Sequence, residues 1–119
     1  MFKISAKVLI VPGILLLIAG GTSFALSNFS DGAKTDYENA VLATAGDVHA
    51  GRVLFNANCS ACHGTEANGW IGPNLHSVKA RKSDVAIIRQ IDSGLTPPMP
   101  KFELNERQMA DILSYLKSI

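Results

Sequence analysis

The feature that most narrows what this chain can fold into is the run Cys59-Ser60-Ala61-Cys62-His63. Two thiols three residues apart, followed at once by an imidazole, form the attachment signature of a c-type haem. On one turn of helix both sulfurs point the same way and can form thioethers to the two haem vinyl groups, while His63 is held under the iron as an axial ligand. A CxxC pair also serves as a redox dithiol or as half of a zinc site. The first wants a βαβ setting that this chain lacks. The second needs four ligands, and beyond the motif only His49 and His76 remain to offer. The expected cofactor is therefore one haem c, bound covalently through Cys59 and Cys62.

A chain of 119 residues makes one domain at most, and its first quarter is too apolar to belong to that domain. The remainder can bury only a limited core, so a large flat apolar cofactor would be a main part of it. Both cysteines lie in the motif, which leaves none for a structural disulfide, and a formal charge of +1 gives no reason to expect nucleic acid.

Lys3 and Lys7 precede an uncharged run from Val8 to Ser30, whose apolar part, Val8 to Leu26, is 19 residues long. That is close to the ~20 residues that cross a bilayer as a helix, so residues 1–27 are read as a membrane anchor. The competing reading is a signal peptide cleaved after the small residues Ser23 and Ala25; the run exceeds the roughly 7–15 apolar residues usual for such a signal, which favours the anchor. Under either reading the domain that follows is exported. Lysines before the span keep the N-terminus cytoplasmic and put the rest on the periplasmic or thylakoid-lumen side.

Residues 28–46 are polar and rich in small side chains and read as a tether, although the Ala40 to Ala45 end reads equally as a frayed helical turn. The domain proper, residues 47–119, opens at Asp47, an N-cap for a short helix with Val48, Gly51 and Phe55 on one face. Glycines at 64, 69 and 72, with Pro73, make the next stretch a loop wrapped around something. A second helix runs from the N-cap Ser83 through Val85, Ile87, Ile88 and Ile91 to a stop at Gly94. Thr96-Pro97-Pro98-Met99-Pro100 should be stiff and extended, holding Met99 in place. The last helix starts at Asn105, with Gln108 as capping-box partner, and carries Met109, Ile112, Leu113, Tyr115 and Leu116. No stretch alternates like a strand, so the expected fold is all-α.

From Asp47 to Ile119 these features resemble the class I cytochromes c, small monohaem electron carriers. The resemblance rests on Gly51 and Phe55, the Cys59 to His63 motif, Gly72-Pro73-Asn74-Leu75, and Met99 ahead of a helix bearing Tyr115. It implies that the first and last helices cross at Gly51, that the Pro73 carbonyl accepts a hydrogen bond from His63 Nδ1, that Leu75 packs on the haem, and that Met99 is the distal ligand. The expected metal ligands are then His63 and Met99, with a second histidine, His76 or His49, as the alternative sixth ligand and Met109 as core. Trp70 is expected in the haem pocket.

With both axial positions filled, the chemistry is one-electron exchange and the protein a carrier, not an enzyme. Its donor and acceptor would be redox proteins such as a quinol-oxidising complex, a terminal oxidase or a photosystem. An uncleaved anchor on such a domain resembles the cyanobacterial cytochrome cM group, or the membrane-bound cytochromes that feed terminal oxidases in other bacteria. The alternative is a haem enzyme or gas-binding sensor with a labile sixth ligand.

Overall fold

Residues 31–119 are described by a computed structural model of the chain. The anchor and cleavage-site readings fall on residues outside them; among the described residues no helix is long and apolar enough to cross a membrane. Five helices follow in order: α1 (Asp36–Ala43), α2 (Val48–Asn58), α3 (Ser60–His63), α4 (Asp84–Ser93) and α5 (Glu106–Ser118), with a 3-10 turn at Val78–Ala80 before α4. No strand occurs among the described residues.

The helix starts are set by local chemistry. Asp47, Ser83 and Asn105 each turn a side-chain oxygen onto a backbone N–H of the first turn, and Gln108 returns a bond to the Asn105 N–H. These contacts satisfy donors that a helix leaves orphaned. Gly94 ends α4 in the left-handed conformation, φ 56°.

Helices α2 and α5 form the central crossing. A Cβ at Gly51 would lie 1.9 Å from the Asp111 carbonyl oxygen and 2.9 Å from Tyr115 Cβ, so only glycine lets the backbones come this close. One turn later Phe55 meets Tyr115, ring centroids 5.2 Å apart and planes tilted by 53°. The buried Asp111 carboxylate accepts a hydrogen bond from the Asp47 N–H at 2.7 Å, fixing the start of α2 on the flank of α5.

Two expectations need correction. The stretch read as a tether contains α1, and the packed unit begins at Ala33. Thr35 and Glu38 form a reciprocal capping box, Val41 is buried in the core, and Tyr37 donates its hydroxyl to the Leu104 carbonyl at 2.8 Å. Glu38 is 4% exposed and pairs with Arg89 of α4, Nε to Oε1 at 2.6 Å. The ion pair, the Tyr37 hydroxyl and ring, and a single buried valine hold the helix, which is why its apolar period is faint. The proline segment, in turn, is not extended. The Met99 N–H donates to the Thr96 carbonyl at 3.0 Å, closing a turn, because the two prolines lack donors but leave that carbonyl free to accept.

Candidate cofactor site

Helix α2 delivers Cys59 to its C-terminal end, and the single turn of α3 carries Cys62 and His63. Both cysteines are free. Burial, with a smaller contribution from Cys62 beside it, pushes the Cys59 thiol up to about 11.

His63 is 8% exposed, and its Nδ1 lies 2.9 Å from the Pro73 carbonyl oxygen. A carbonyl only accepts, so Nδ1 carries the proton and the Nε2 lone pair is left for a metal. The ring is clamped from the other side: a Cβ at Gly72 would stand 2.6 Å from its Cε1. Backbone bonds from Gly72 N–H to the Cys62 carbonyl, 2.8 Å, and from Trp70 N–H to the Gly72 carbonyl, 3.0 Å, keep that loop in place.

Cys59, Cys62, His63, Pro73, Leu75 and Met99 all line one cavity of about 480 Å³, within the range of cofactor pockets. Phe55, Val78, Ile87, Ile91, Ile112 and Leu116 supply most of the remaining wall, and the only charged lysine or acid in the lining is the exposed Lys82. Two thiols at the rim, one imidazole with an available nitrogen, one thioether and an otherwise apolar wall form a donor set that fits a haem c.

The alternative ligands are elsewhere. His76 Nε2 lies 2.9 Å from the Glu66 carbonyl oxygen, to which it must donate, and His49 is exposed on α2; neither lines the cavity. Met109 is fully buried in the core. Trp70 departs from expectation: it is 82% exposed and absent from the wall, and Ile71 reaches the cavity instead, because the turn closed at Gly72 sends the indole outward. Gln90 was not legible beforehand. It lines the cavity from the last turn of α4 with its amide against the Met99 sulfur, and the available signal was a polar residue between two buried isoleucines, Ile88 and Ile91.

A family model described as "Cytochrome C oxidase, cbb3-type, subunit III" matches residues 46–116. The chain is 46% identical over 106 residues to a "Cytochrome c-553-like" protein of Synechocystis sp., covering 89% of this chain and 96% of that one. It is 32% identical over 90 residues to the cytochrome c-551 of Bacillus subtilis, covering 76% and 77% of the two chains. Among solved structures it is similar to cytochrome cL of Methylophaga aminisulfidivorans, with a TM-score of 0.55 and 26% identity over 73% of this chain and 70% of that one.

Proposed function

The chain belongs to the cytochrome c family that the matching model describes, a family of electron-transfer proteins rather than enzymes, and from that membership we propose a membrane-anchored carrier with His63 and Met99 as its axial ligands. The observation that carries the ligand assignment is the shared cavity, lined both by the one buried histidine, its Nδ1 committed to Pro73, and by the one cavity-lining methionine. The bound haem would supply the one-electron Fe(III)/Fe(II) couple.

The chain's own residues have four tasks. Cys59 and Cys62 fasten the group covalently. Pro73 orients His63 through the Nδ1 hydrogen bond and leaves Nε2 as the donor toward the cavity. The isoleucines of α4 with Ile112 and Leu116 of α5 exclude water. Met99 offers a soft sulfur that favours the reduced state.

The cyanobacterial relative, similar along nearly its whole length, supports an exported haem domain of the cytochrome cM type. The family description as an oxidase subunit supports a terminal oxidase as electron acceptor, with a quinol-oxidising complex or photosystem as the other partner. Residues 1–27 would hold the domain at the membrane.

Changing both Cys59 and Cys62 to Ser should abolish haem that survives denaturing electrophoresis. The unaltered protein should show six-coordinate low-spin iron with a weak ferric iron–sulfur band in the far red. Haem retained by the double variant would refute covalent attachment, and high-spin iron that binds carbon monoxide readily would refute the filled sixth position.

A further inference from the structure

Helix α1 has no part in the cofactor site. None of its residues lines the cavity, and the family match begins at residue 46, after α1 has ended at Ala43. The haem-binding fold is thus described without it. Yet α1 is fastened to the domain. Arg89 of α4 holds the Glu38 carboxylate with two donors, Nε at 2.6 Å and Nη2 at 3.0 Å, and the same Nη2 lies 3.1 Å from the Ala33 carbonyl oxygen. A guanidinium that grips a carboxylate through two bonds fixes orientation as well as distance. The Tyr37 hydroxyl donates to the Leu104 carbonyl at 2.8 Å, and Val41 enters the core. The chain is therefore pinned from Ala33 onward.

Where the pin falls decides how much free chain is left. With α1 loose, residues 28–46 would join residues 1–27 to the domain; with α1 docked, only residues 28–32 do. At roughly 3.3–3.6 Å per residue, the longer stretch can extend to ~65 Å and the shorter to no more than ~18 Å. A shorter leash also concentrates its cargo near the anchor. Effective concentration falls roughly as the −3/2 power of leash length, which makes the docked state about sevenfold more concentrated there.

We infer that α1 is a clasp that takes up the tether, confining the haem domain to the bilayer surface and to redox partners that present their docking site at that same surface. The inference rests on residues 1–27 being a retained anchor.

The test uses the full-length haem-loaded protein in phosphatidylcholine vesicles. The lipid headgroups carry either a fluorophore, quenched by haem through energy transfer, or a ferrocenium, which takes one electron from the reduced haem. Three variants are compared with the unaltered chain. One has an insert of glycine and serine, as long as residues 33–46, between Gly32 and Ala33; a second has the same insert between Thr44 and Ala45. The third is Asn39→Pro, which removes the Asn39 N–H bond to the Thr35 carbonyl and breaks α1 from within. The insert before α1 and Asn39→Pro should lengthen the leash alike: quenching falls by the same amount in each, and electron transfer to the headgroup ferrocenium slows by up to about sevenfold. The insert after α1 should change neither, because the clasp closes upstream of it. Transfer to dissolved ferricyanide and the haem spectrum should be the same in every protein, since α1 lines no part of the cavity.

If the protein leaves the vesicles, or its mass lacks residues 1–27, the anchor reading fails and takes this inference with it. If it stays on the vesicles and the two inserts lengthen the leash equally, the anchor stands and the clasp is refuted. Quenching that no variant alters would refute it as well. Both inserts leave the residues of α1 unchanged, so these outcomes are read even where Asn39→Pro misfolds.

Discussion

Two methionines are given opposite jobs by their surroundings, one half-buried and one fully buried. Met99 lines the cavity on a short turn, whereas Met109 has no exposure at all and belongs to the packed face of α5. Met99→Ala should therefore open the sixth position: the far-red band disappears, the potential falls, and carbon monoxide binds to the reduced protein. Met109→Ala should keep the ligand set and spectrum but lose about 2–5 kcal/mol of stability in denaturant melts, the usual range for a buried large-to-small change. A Met99→Ala spectrum indistinguishable from the unaltered protein's would move the ligand elsewhere. At this scale the cysteines, the histidine and the methionine that line the cavity were legible because their signals are local: two thiols and an imidazole within five positions, and a methionine among prolines. Gln90 was not, since its amide reaches a sulfur nine residues away only once the chain has doubled back at Gly94 and Thr96.

Among the elements, α1 shows how an ion pair can dock a helix that its apolar residues alone would leave loose. The hydrogen bonds from Arg89 hold the Glu38 carboxyl below the ordinary glutamate value of 4.5, outweighing burial, which pushes the other way. A carboxylate with a lowered folded-state value contributes stability that is complete above the unfolded value and lost as pH falls through the folded one. Thermal melts should accordingly show a loss of stability below pH 4.5 that is diminished in Glu38→Gln. At neutral pH that variant should cost about 1.5–3 kcal/mol, the range for hydrogen bonds to charged groups. An unchanged acid limb in Glu38→Gln would mean that other carboxylates govern it. The caps of α2, α4 and α5 could be read directly, as each is decided within four residues. The capping box Thr35 to Glu38 was equally local, but Val41 is the one buried apolar residue of α1 and Leu42 is exposed, so no helical period announced it. What ties α1 down is Arg89, 51 residues on, and no window around Glu38 contains it.

Over the molecule as a whole, charge is distributed away from the cavity loops. Between Asn56 and Ser77 the only formal charge, with histidines neutral, is Glu66, which pairs with Arg52 at 3.3 Å; between Ser93 and Pro100 there is none. Of the basic cluster that follows the loop, Lys79 donates to the Lys117 carbonyl and Arg81 to the carbonyls of His76 and Asn74, so both serve the fold. Partners should be met through apolar and small polar surface, with local concentration raised by the anchor proposed for residues 1–27 rather than by long-range steering. Stopped-flow electron transfer to an oxidase fragment should change only a few-fold as ionic strength rises from ~0.01 to ~0.15 M, where the Debye length shrinks from ~30 to ~8 Å. A collapse by two orders of magnitude, abolished when Lys79, Arg81 and Lys82 are neutralised together, would assign docking to the basic cluster. The outward-turned indole of Trp70 gives the molecule something else as well. It is the only tryptophan in the chain, largely in water, on the loop whose Gly72 packs against the His63 ring. Haem absorbs where an indole emits, so attachment of the cofactor in the neighbouring cavity would darken this fluorophore by energy transfer, and unfolding or a covering partner would alter its emission in different ways. The protein would thus carry its own optical gauge of cofactor loading, with bright chains marking those that never received their haem.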